Sequence, residues 1–222
     1  MTSELSLLDE TVDLWVIDKP AGMAMPDERE LASSFSRAAR LVHRLDRDTT
    51  GVWVVAKSAA GAERASRAFR NRTARKIYWA VVLRHPELAW VDAPIGPDPR
   101  RPRTFRVRPD GRPARTTIRT VQVLGRLHWV EARPHTGRPH QVRIHLAEAG
   151  APIWGDLRYE GEAGARVDGQ LRKAPRPLLH ARSLELPELG PAGGWQAPVP
   201  ADFVEFAPEL DWPDRAVTSP TA

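Results

Sequence analysis

The sequence has no cysteine among its 222 residues. This absence excludes disulfides, thiolate metal ligands and a cysteine nucleophile, and it makes the cytoplasm the default compartment. The N-terminus carries Glu4, Asp9 and Glu10 where a signal peptide needs basic residues and then an apolar stretch. No window approaches the run of about 20 apolar residues that spans a bilayer. We therefore expect a cytoplasmic protein without a membrane segment.

The composition is otherwise that of an ordinary globular protein, because 41% of the residues are hydrophobic and 27% are charged. The length suits one substantial core, and we predict a single domain over residues 1–212. Residues 160–177 are rich in glycine, arginine and proline, which is typical of a mobile insertion. Residues 213–222 are predicted to form a disordered tail.

Positive charge is unevenly distributed, although the formal net charge is only +5. Three basic runs contain few acidic residues. They hold Arg64, Arg67, Arg70, Arg72, Arg75 and Lys76; then Arg100, Arg101, Arg103, Arg106, Arg108, Arg112, Arg115 and Arg119; then Arg133, Arg138 and Arg143 with His135, His140 and His145. One such run is as often a solvated face as a binding surface, but three together favour a polyanionic partner.

Hydrophobic periodicity and turn residues predict a chain in which strands and helices alternate. We expect strands at 12–17, 52–55, 77–83, 104–107, 116–124, 128–132, 178–186 and 203–206, and helices at 28–40, from Ser58 to about Arg72, and between Pro139 and Gly150. The three strands between 104 and 132 predict an antiparallel meander. The last helix has Val142, Leu146 and Ala149 at helical spacing, which places His140 and Arg143 on an adjacent face.

Four polar segments carry the residues with chemical potential. They are HRLDRDTTG at 43–51, KIY at 76–78, TGRPHQVRIHL at 136–146 and GAPIWGD at 150–156, with supporting matches DKPAG at 18–22, LHA at 179–181 and APVP at 197–200. Each segment alone is weak, because an aspartate in a polar loop is more often a turn residue than a catalyst. In this order and spacing, the segments resemble the RluA family of RNA pseudouridine synthases over about residues 12–206.

The resemblance implies an α/β (α+β) domain built on a mixed, mainly antiparallel β-sheet flanked by helices and loops. It also implies an isomerase that converts specific uridines of transfer or ribosomal RNA to pseudouridine. In that reaction the bond from ribose to uracil N1 breaks, the base turns, and a bond to C5 forms. The match makes Asp46 the catalytic carboxylate. Whether Asp46 attacks the sugar, assists it or attacks the base stays open, and neither a cofactor nor a metal is implied.

The same match assigns Arg143 and Tyr78 to the site of Asp46. Arg143 is expected to ion-pair with Asp46 and keep it charged. Tyr78 is expected to stack on the uracil and to serve in proton removal from C5. Because a stacked base is out of reach, the uridine must be extruded, and Arg44 matches the position that fills the vacated space. The alternative for Arg44 is an ion pair with a nearby acid such as Asp48.

Four neighbouring polar side chains are expected to serve RNA binding. His43 is expected to support the loop or contact the RNA backbone, while Arg138, His140 and Gln141 face the RNA or support groups that do. Two departures from the family pattern are MAMP at 23–26 in place of Val-His-Pro, and Thr50 in place of serine. No S4-type RNA-binding domain fits before residue 12, so we expect the catalytic domain and its basic loops to select the RNA.

Three alternatives deserve comparison. A metal site built from His135, His140 and His145 is disfavoured, because their spacing of five differs from the three or four that aligns two ligands on a helix. A glycosidase-like hydrolase would need a second carboxylate near Asp46, for which Asp48 is the only close candidate in sequence. A non-catalytic RNA-binding protein needs only the basic runs. We expect a monomer, because no long exposed apolar stripe is evident.

Overall fold

The computed structural model describes residues 5–213 of the chain. Within that range the strands are, in chain order, β1 (Ser6–Glu10), β2 (Leu14–Lys19), β3 (Arg40–Leu41), β4 (Thr50–Ala56), β5 (Arg75–Val82), β6 (Trp90–Asp92), β7 (Ile95–Pro97), β8 (Phe105–Val107), β9 (Arg115–Leu124), β10 (Leu127–Pro134), β11 (Gly164–Val167), β12 (Gln170–Lys173), β13 (Leu179–Glu185) and β14 (Trp195–Gln196). The helices are α1 (Glu28–Ser34), α2 (Ala59–Arg70), α3 (Gln141–Glu148) and α4 (Ala201–Phe206), with a 3₁₀ turn at Leu157–Tyr159.

One sheet organises the described part of the chain, in the strand order β1-β2-β4-β13-β5-β10-β9-β6. The short strands β3 and β14 pair with β4 and β13. Neighbouring strands are antiparallel except β4 and β13, which run parallel. Two hairpins, β7–β8 and β11–β12, stand apart from this sheet. The predicted mixed, mainly antiparallel sheet flanked by helices and loops is confirmed.

The two faces of the sheet carry different cores, because successive side chains of a strand point to opposite faces. Along β5, Tyr78 packs on the face that is covered by Val142 and its neighbours on α3. Trp79 faces the other way, where it stacks edge-on against Trp129 at a centroid distance of 4.8 Å. Trp212 lies 4.8 Å from Trp129 on that side, so the C-terminal segment covers the face opposite α3. Tyr78 therefore belongs to the α3 face of the sheet.

β4 is buried along its whole length, and it follows directly on the polar segment that carries Asp46. Val54 packs with Ala65 of α2 on one side. Trp53 packs with Leu31 of α1 on the other side. A strand enclosed on both faces has little freedom to move, so it provides a fixed base for the loop before it.

Most predicted elements are present, including helix α2 with its predicted cap. The Ser58 hydroxyl accepts a hydrogen bond of 3.1 Å from the Gly61 amide, and α2 ends at Arg70, two residues before the predicted end. On α3, Val142 and Leu146 are buried as the spacing indicated. Local capping and amphipathic spacing were sufficient to identify these helices.

The helix predicted at 28–40 is wrong in its second half. α1 begins with a capping box, in which Asp27 and Glu30 each bond to the other's backbone amide, and it ends at Ser34. A turn follows, after which β3 pairs with the inner strand β4. Pairing with a buried strand outweighs the helical preference of the segment, a preference that tertiary contacts often override.

The strand predicted at 203–206 is also wrong, because this segment lies in helix α4. Pro200 occupies the N-cap position. Phe203 is fully buried in the core around Trp79, Trp129 and Trp212, which we call the tryptophan core. A short apolar run fits a buried strand and a buried helical turn equally well, so periodicity could not distinguish them.

The predicted three-stranded meander reduces to the pair β9–β10, because residues 105–107 pair with β7 instead.

Two predictions concern the least regular segments. Residues 160–177, predicted as a mobile insertion, contain the β11–β12 hairpin, and Ala165 and Val167 of this hairpin belong to the tryptophan core. Composition gave no indication of this hairpin. The tail predicted at 213–222 lies outside the described residues except for Pro213. Within residues 5–213, no helix has both the length and the apolar character that crossing a membrane requires.

Candidate active site

Asp46 lies in a loop whose last residues, 46–49, we call the site loop. Leu45 precedes it and is buried in the core between α1 and β4. The Thr49 amide donates a hydrogen bond of 3.1 Å to the Asp46 carbonyl, which closes a tight turn. The Asp46 side chain keeps 25% of its surface exposed. Its backbone is therefore anchored while its carboxylate stays partly exposed.

Lys19, at the end of β2, is completely buried beneath the site loop. Its ammonium group donates to the carbonyl oxygens of Pro20, Arg47 and Thr49 at 2.8, 2.7 and 3.0 Å. Burial lowers the pKa of Lys19 to about 8, against the opposing effect of the nearby Asp48 carboxylate. A buried ammonium needs all three of its hydrogen bonds satisfied, and here backbone oxygens satisfy them. Lys19 thereby fixes the path of the loop.

Arg176 holds the same loop from the other side. It donates to the Asp48 carbonyl at 2.9 Å and to the Leu179 carbonyl at 3.0 Å. Its remaining nitrogens bind both carboxylate oxygens of Asp202 on α4, at 2.6 and 2.8 Å. A bidentate pair of this kind fixes the orientation of the guanidinium. Arg176 therefore ties the loop both to β13 and to the C-terminal helix.

The first two residues of β4, directly after the site loop, meet β13 at close range. Gly51 has φ +108°, and a Cβ atom at this position would collide with the backbone of Ala181. Glycine is required there, since it alone tolerates both the positive φ and the close approach. Beside it, the Thr50 hydroxyl lies 2.9 Å from Nδ1 of the buried His180. The hydroxyl that replaces the family's usual serine is therefore engaged.

Arg143 reaches Asp46 from α3, which begins 95 residues after the aspartate. Its Nη1 donates to Asp46 Oδ2 at 2.9 Å. Its Nε and Nη2 bind both oxygens of Asp156 at 2.7 Å each. Asp156 is buried, and its carboxylate holds one edge of the Arg143 guanidinium. The remaining nitrogen, Nη1, is therefore directed at Asp46. Burial lowers the pKa of Arg143, but the bonds and charges of Asp156 and Asp46 outweigh it and raise that pKa.

Tyr78 belongs to the same pocket, since it packs both with the core around α3 and with the core that includes Leu45. Burial raises the pKa of its hydroxyl, and the negative charge of Asp46 adds to the shift. Tyr78 is therefore a neutral phenol close to the carboxylate. The chain has only two tyrosines, and the second, Tyr159, lies on Arg143 with the guanidinium 4.9 Å from the ring centre. The structure thus brings Asp46, Arg143 and Tyr78 together.

His140 adopts a left-handed backbone with φ 56° at the N-cap of α3, where its side chain gives no cap hydrogen bond. Its Nδ1 lies 2.6 Å from the hydroxyl of Tyr159, and its Nε2 lies 3.9 Å from Asp46 Oδ1. Burial lowers the pKa of His140, and the Asp46 charge opposes this effect. The imidazole is therefore neutral near pH 7. His140 lies inside the pocket rather than on a surface beside it.

The other predicted RNA contacts have different positions. Arg44 is exposed, and among the described residues its side chain pairs neither with Asp48 nor with another group. His43 instead accepts a hydrogen bond of 3.0 Å from the Val54 amide and stacks on Phe69. We expected His43 either to support the loop or to contact the RNA backbone, and this contact corresponds to the first of these roles.

Gln141 does not face the pocket, because it is buried and all its polar atoms are engaged. Its oxygen accepts from the Thr136 hydroxyl at 2.7 Å and from the Arg138 amide at 3.0 Å. Its nitrogen donates to the Arg115 carbonyl and the Thr116 hydroxyl. Gln141 therefore fixes the start of α3, and of its two predicted roles only the supporting one fits this position.

Three arginines, one from each basic run, lie close enough together to affect one another's charge. Arg138 is partly exposed, and burial together with the charges of Arg112 and Arg72 lowers its pKa. The β7–β8 hairpin, residues 95–107, lies beside Arg112 and is called here the arginine hairpin. Its base packs on the site, since Phe105 meets the His140 ring edge-on at 5.7 Å. Within residues 5–213, the side chains of its Arg100, Arg101, Arg103 and Arg106 are exposed and make no ion pair.

Partial signals were present in the sequence for the residues we did not predict. Asp156 closes the segment GAPIWGD, which we singled out without giving the aspartate a role. Lys19 lies in the supporting match at 18–22. Arg176 and Tyr159 had no such signal, because one lies in the segment predicted as an insertion and the other just before it. The three histidines weighed as metal ligands do not converge, since His135 bonds to Thr117 and His145 to Thr116.

Comparison with known proteins identifies the class to which this fold and pocket belong. A family profile described as RNA pseudouridylate synthase matches residues 13–148. A Chloroflexus aurantiacus protein named an uncharacterized RNA pseudouridine synthase is 41% identical over 181 residues, which is 79% of this chain and 54% of that protein. Ribosomal large subunit pseudouridine synthase D of Nitrosomonas europaea is 34% identical over 97% of this chain and 68% of its own length.

The solved structures agree. The structure of human RNA Pseudouridylate Synthase Domain Containing 4 superposes with a TM-score of 0.71 at 26% identity, covering 90% of each chain. The fold is therefore that of the pseudouridine synthases. The chain belongs to the RNA pseudouridylate synthase family, in its RluA branch. It spans about half of the length of the Chloroflexus relative, and about two thirds of the Nitrosomonas one.

Proposed function

We propose that this chain isomerises specific uridines in RNA to pseudouridine, with Asp46 as the essential carboxylate. One observation carries the proposal: Asp46 and Arg143, 97 positions apart, meet at 2.9 Å, and Tyr78 lies close enough to feel the charge of Asp46. Family membership supplies the reaction. The bond between ribose C1′ and uracil N1 breaks and the bond between C1′ and C5 forms. C5 loses its proton, N1 gains one, and no co-reactant is needed.

The three side chains have separate tasks in this proposal. Asp46 assists the sugar as the glycosidic bond breaks, either as a nucleophile or as a base. Arg143, held by Asp156, keeps the carboxylate oriented. Tyr78 offers its ring as a stacking surface for the uracil. Because Tyr78 is a neutral phenol, it can take the C5 proton only if another group accepts its own, and Asp46 is the nearby candidate.

Base extrusion is proposed to use Arg44. This side chain is exposed two residues before the catalytic carboxylate, and it has no partner in the described structure that would hold it back. A guanidinium can stack on the neighbouring bases and bond to phosphate at the same time, which suits the space left by a flipped nucleotide. Arg138 and the exposed arginines around it then meet the RNA backbone.

The RNA is proposed to be ribosomal. This choice follows the relatives, several of which are named ribosomal large subunit pseudouridine synthases. Transfer RNA is the alternative. Mapping pseudouridines in a strain without this protein distinguishes them, since the missing modification identifies both the RNA and the uridine.

Of the alternative functions, a glycosidase-like hydrolase fits the geometry of the site least well. The second carboxylate at the site is Asp156, not Asp48, and both oxygens of Asp156 are bound to Arg143. A glycosidase needs its second carboxylate free to act as an acid or base. RNA labelled with tritium at uridine C5 tests all alternatives. Isomerisation releases the label while the base stays attached, hydrolysis frees uracil, and a pure RNA-binding protein does neither; only the first outcome agrees with the proposal.

Assembly and location complete the proposal. We propose a monomeric protein of the cytoplasm, where ribosomal RNA is found, with one catalytic domain over residues 1–212. The continuous sheet from β1 to β13 supports the single domain. Light scattering of the purified protein at micromolar concentration checks the monomer, and a mass of twice 24.8 kDa would contradict it.

A further inference from the structure

The hydrogen bonds around Tyr159 determine which nitrogen of His140 carries a proton. The Tyr159 oxygen accepts a bond of 3.3 Å from the Phe105 amide and lies 2.6 Å from His140 Nδ1. Tyr159 is buried, so its O–H needs an acceptor, and within the described residues Nδ1 of His140 is the acceptor in reach. The neutral imidazole therefore carries its proton on Nε2, on the side of Asp46.

A donor and an acceptor thus face each other across a gap. His140 Nε2–H lies 3.9 Å from Asp46 Oδ1, whereas the other oxygen of Asp46 is bound to Arg143. The gap is too long for a direct hydrogen bond. An oxygen atom between the two can lie about 2.8 Å from both. That oxygen would have to accept from His140 and donate to Asp46, so it must belong to a hydroxyl group or to a water molecule.

We propose that this gap is a subsite for the 2′-hydroxyl of the target ribose, with His140 as the residue that selects RNA over DNA. The inference rests on the proposed function. The 2′-hydroxyl both donates and accepts, and it sits on the carbon next to C1′, where Asp46 acts. The uracil carbonyl oxygens only accept, so the Asp46 carboxylate would repel them. A deoxyribose offers His140 and Asp46 Oδ1 no partner from the substrate, so both hydrogen bonds to the target nucleotide are lost.

The arrangement also accounts for the backbone of His140. A non-glycine residue with φ 56° is uncommon, and such strain persists where surrounding contacts enforce it. The first turn of α3 is fixed by Gln141, and the left-handed turn brings the imidazole between Tyr159 and Asp46 rather than onto the helix surface. Two residues that composition gave no reason to connect, His140 and Tyr159, therefore act as one unit.

The test compares two substrates with two enzymes. A synthetic stem–loop RNA covering a uridine that the wild-type enzyme modifies is made with either uridine or 2′-deoxyuridine at that position. For the wild type we expect the deoxy substitution to lower kcat/KM by about 10- to 100-fold. For His140→Ala the same substitution should cost at least about fivefold less, because one of the two hydrogen-bonding groups is already missing.

Further variants keep the test decisive. Tyr159→Phe retains the imidazole but removes the hydroxyl that sets its protonation, so the deoxy penalty should shrink there as well. His85→Ala, a change to an exposed histidine after β5, should keep the full penalty. Equal penalties in wild type, His140→Ala and Tyr159→Phe would overturn the subsite and leave the proposed function intact. A wild-type enzyme that makes no pseudouridine in any ribosomal or transfer RNA would overturn the proposed function itself.

Discussion

The site loop and the arginine hairpin both depend on cations, but they use them in opposite ways. Under the loop, Lys19 and Arg176 are buried, and carbonyl oxygens or a carboxylate occupy their nitrogens. On the hairpin, arginines such as Arg100 and Arg103 are exposed and unpaired within the described residues. A buried, satisfied cation fixes geometry, whereas an exposed, unpaired one is available to phosphate. Mutations in the two regions should therefore change different measured quantities.

Asp46→Asn should cause the largest loss of turnover and should show that the reaction depends on the site loop. We expect turnover to fall by about 10³-fold or more, because the amide keeps the size of the side chain but loses its charge. RNA affinity should stay within about threefold, since the phosphate contacts lie elsewhere. Tritium release under single-turnover conditions and filter binding measure the two quantities. Asp168→Asn, in the exposed turn between β11 and β12, is the matched control, and normal turnover by Asp46→Asn would end the assignment.

Tyr78→Phe tests the chemistry beside the site loop, because it keeps the aromatic ring and removes only the hydroxyl. We expect RNA binding to survive, because the stacking ring remains, while product formation slows by about 10²-fold. The two steps are resolved by following RNA binding and tritium release in one rapid-quench experiment. Turnover at the wild-type rate would leave Tyr78 with a stacking role alone.

Arg176→Met tests whether a buried cation positions the loop. The variant leaves Asp202 and the Asp48 carbonyl unpaired, so the free energy of unfolding should fall by about 3 kcal/mol. We expect kcat to fall about tenfold, with RNA affinity little changed, because Asp46 loses its fixed backbone. Urea unfolding and steady-state kinetics measure the two effects. Arg126→Met, at an exposed pair with Glu162, should cost less than about 1 kcal/mol. Equal effects of the two variants would contradict the distinction between buried and exposed cations.

The arginine hairpin should respond in the opposite way. Changing Arg100, Arg101 and Arg103 together to glutamine should raise KM about tenfold and leave kcat unchanged. The dependence of affinity on salt should become shallower by about 0.7 to 0.9 for each RNA phosphate that the variant no longer neutralises. Titrations of RNA at several salt concentrations measure this slope.

The control for the hairpin is a triple glutamine variant of three exposed arginines outside the basic runs, Arg84, Arg126 and Arg166. It removes the same charge from a different surface. If both triple variants weaken binding equally, total charge rather than the hairpin determines RNA affinity.

The smallest expected effect is a pH dependence of stability at the base of the loop. Burial lowers the pKa of His43 to about 3, with the charge of Lys76 adding to the shift, and its Nε2 must stay unprotonated to accept from Val54. The unfolded chain protonates this histidine near pH 6.5, so its contribution is complete above that pH and is lost as pH falls toward 3. We expect a loss on the order of 1 kcal/mol per pH unit. Urea unfolding at about pH 7.5 and about pH 5.0 should show a smaller difference in His43→Leu than in wild type.

Prediction from sequence was best where a signal is local. The cap at Ser58 and the spacing of Val142 and Leu146 identified two helices. It failed where residues distant in the chain determine the secondary structure. β3 forms because it pairs with β4, and Phe203 lies in a helix that buries its side chain in the tryptophan core. Short segments carry too little information to choose between strand and helix on their own.

The sequence alone identified the family, and it predicted Asp46, Arg143 and Tyr78 as the site residues, because several short segments match the family pattern in their order and spacing. The tertiary structure alone decided how these residues are held. Asp156 clamps Arg143, the Tyr159 hydroxyl lies 2.6 Å from His140 Nδ1, and two buried cations fix the backbone after Asp46. Such interactions depend on distances between side chains far apart in the chain, which only the packing of β4, β13 and α3 establishes.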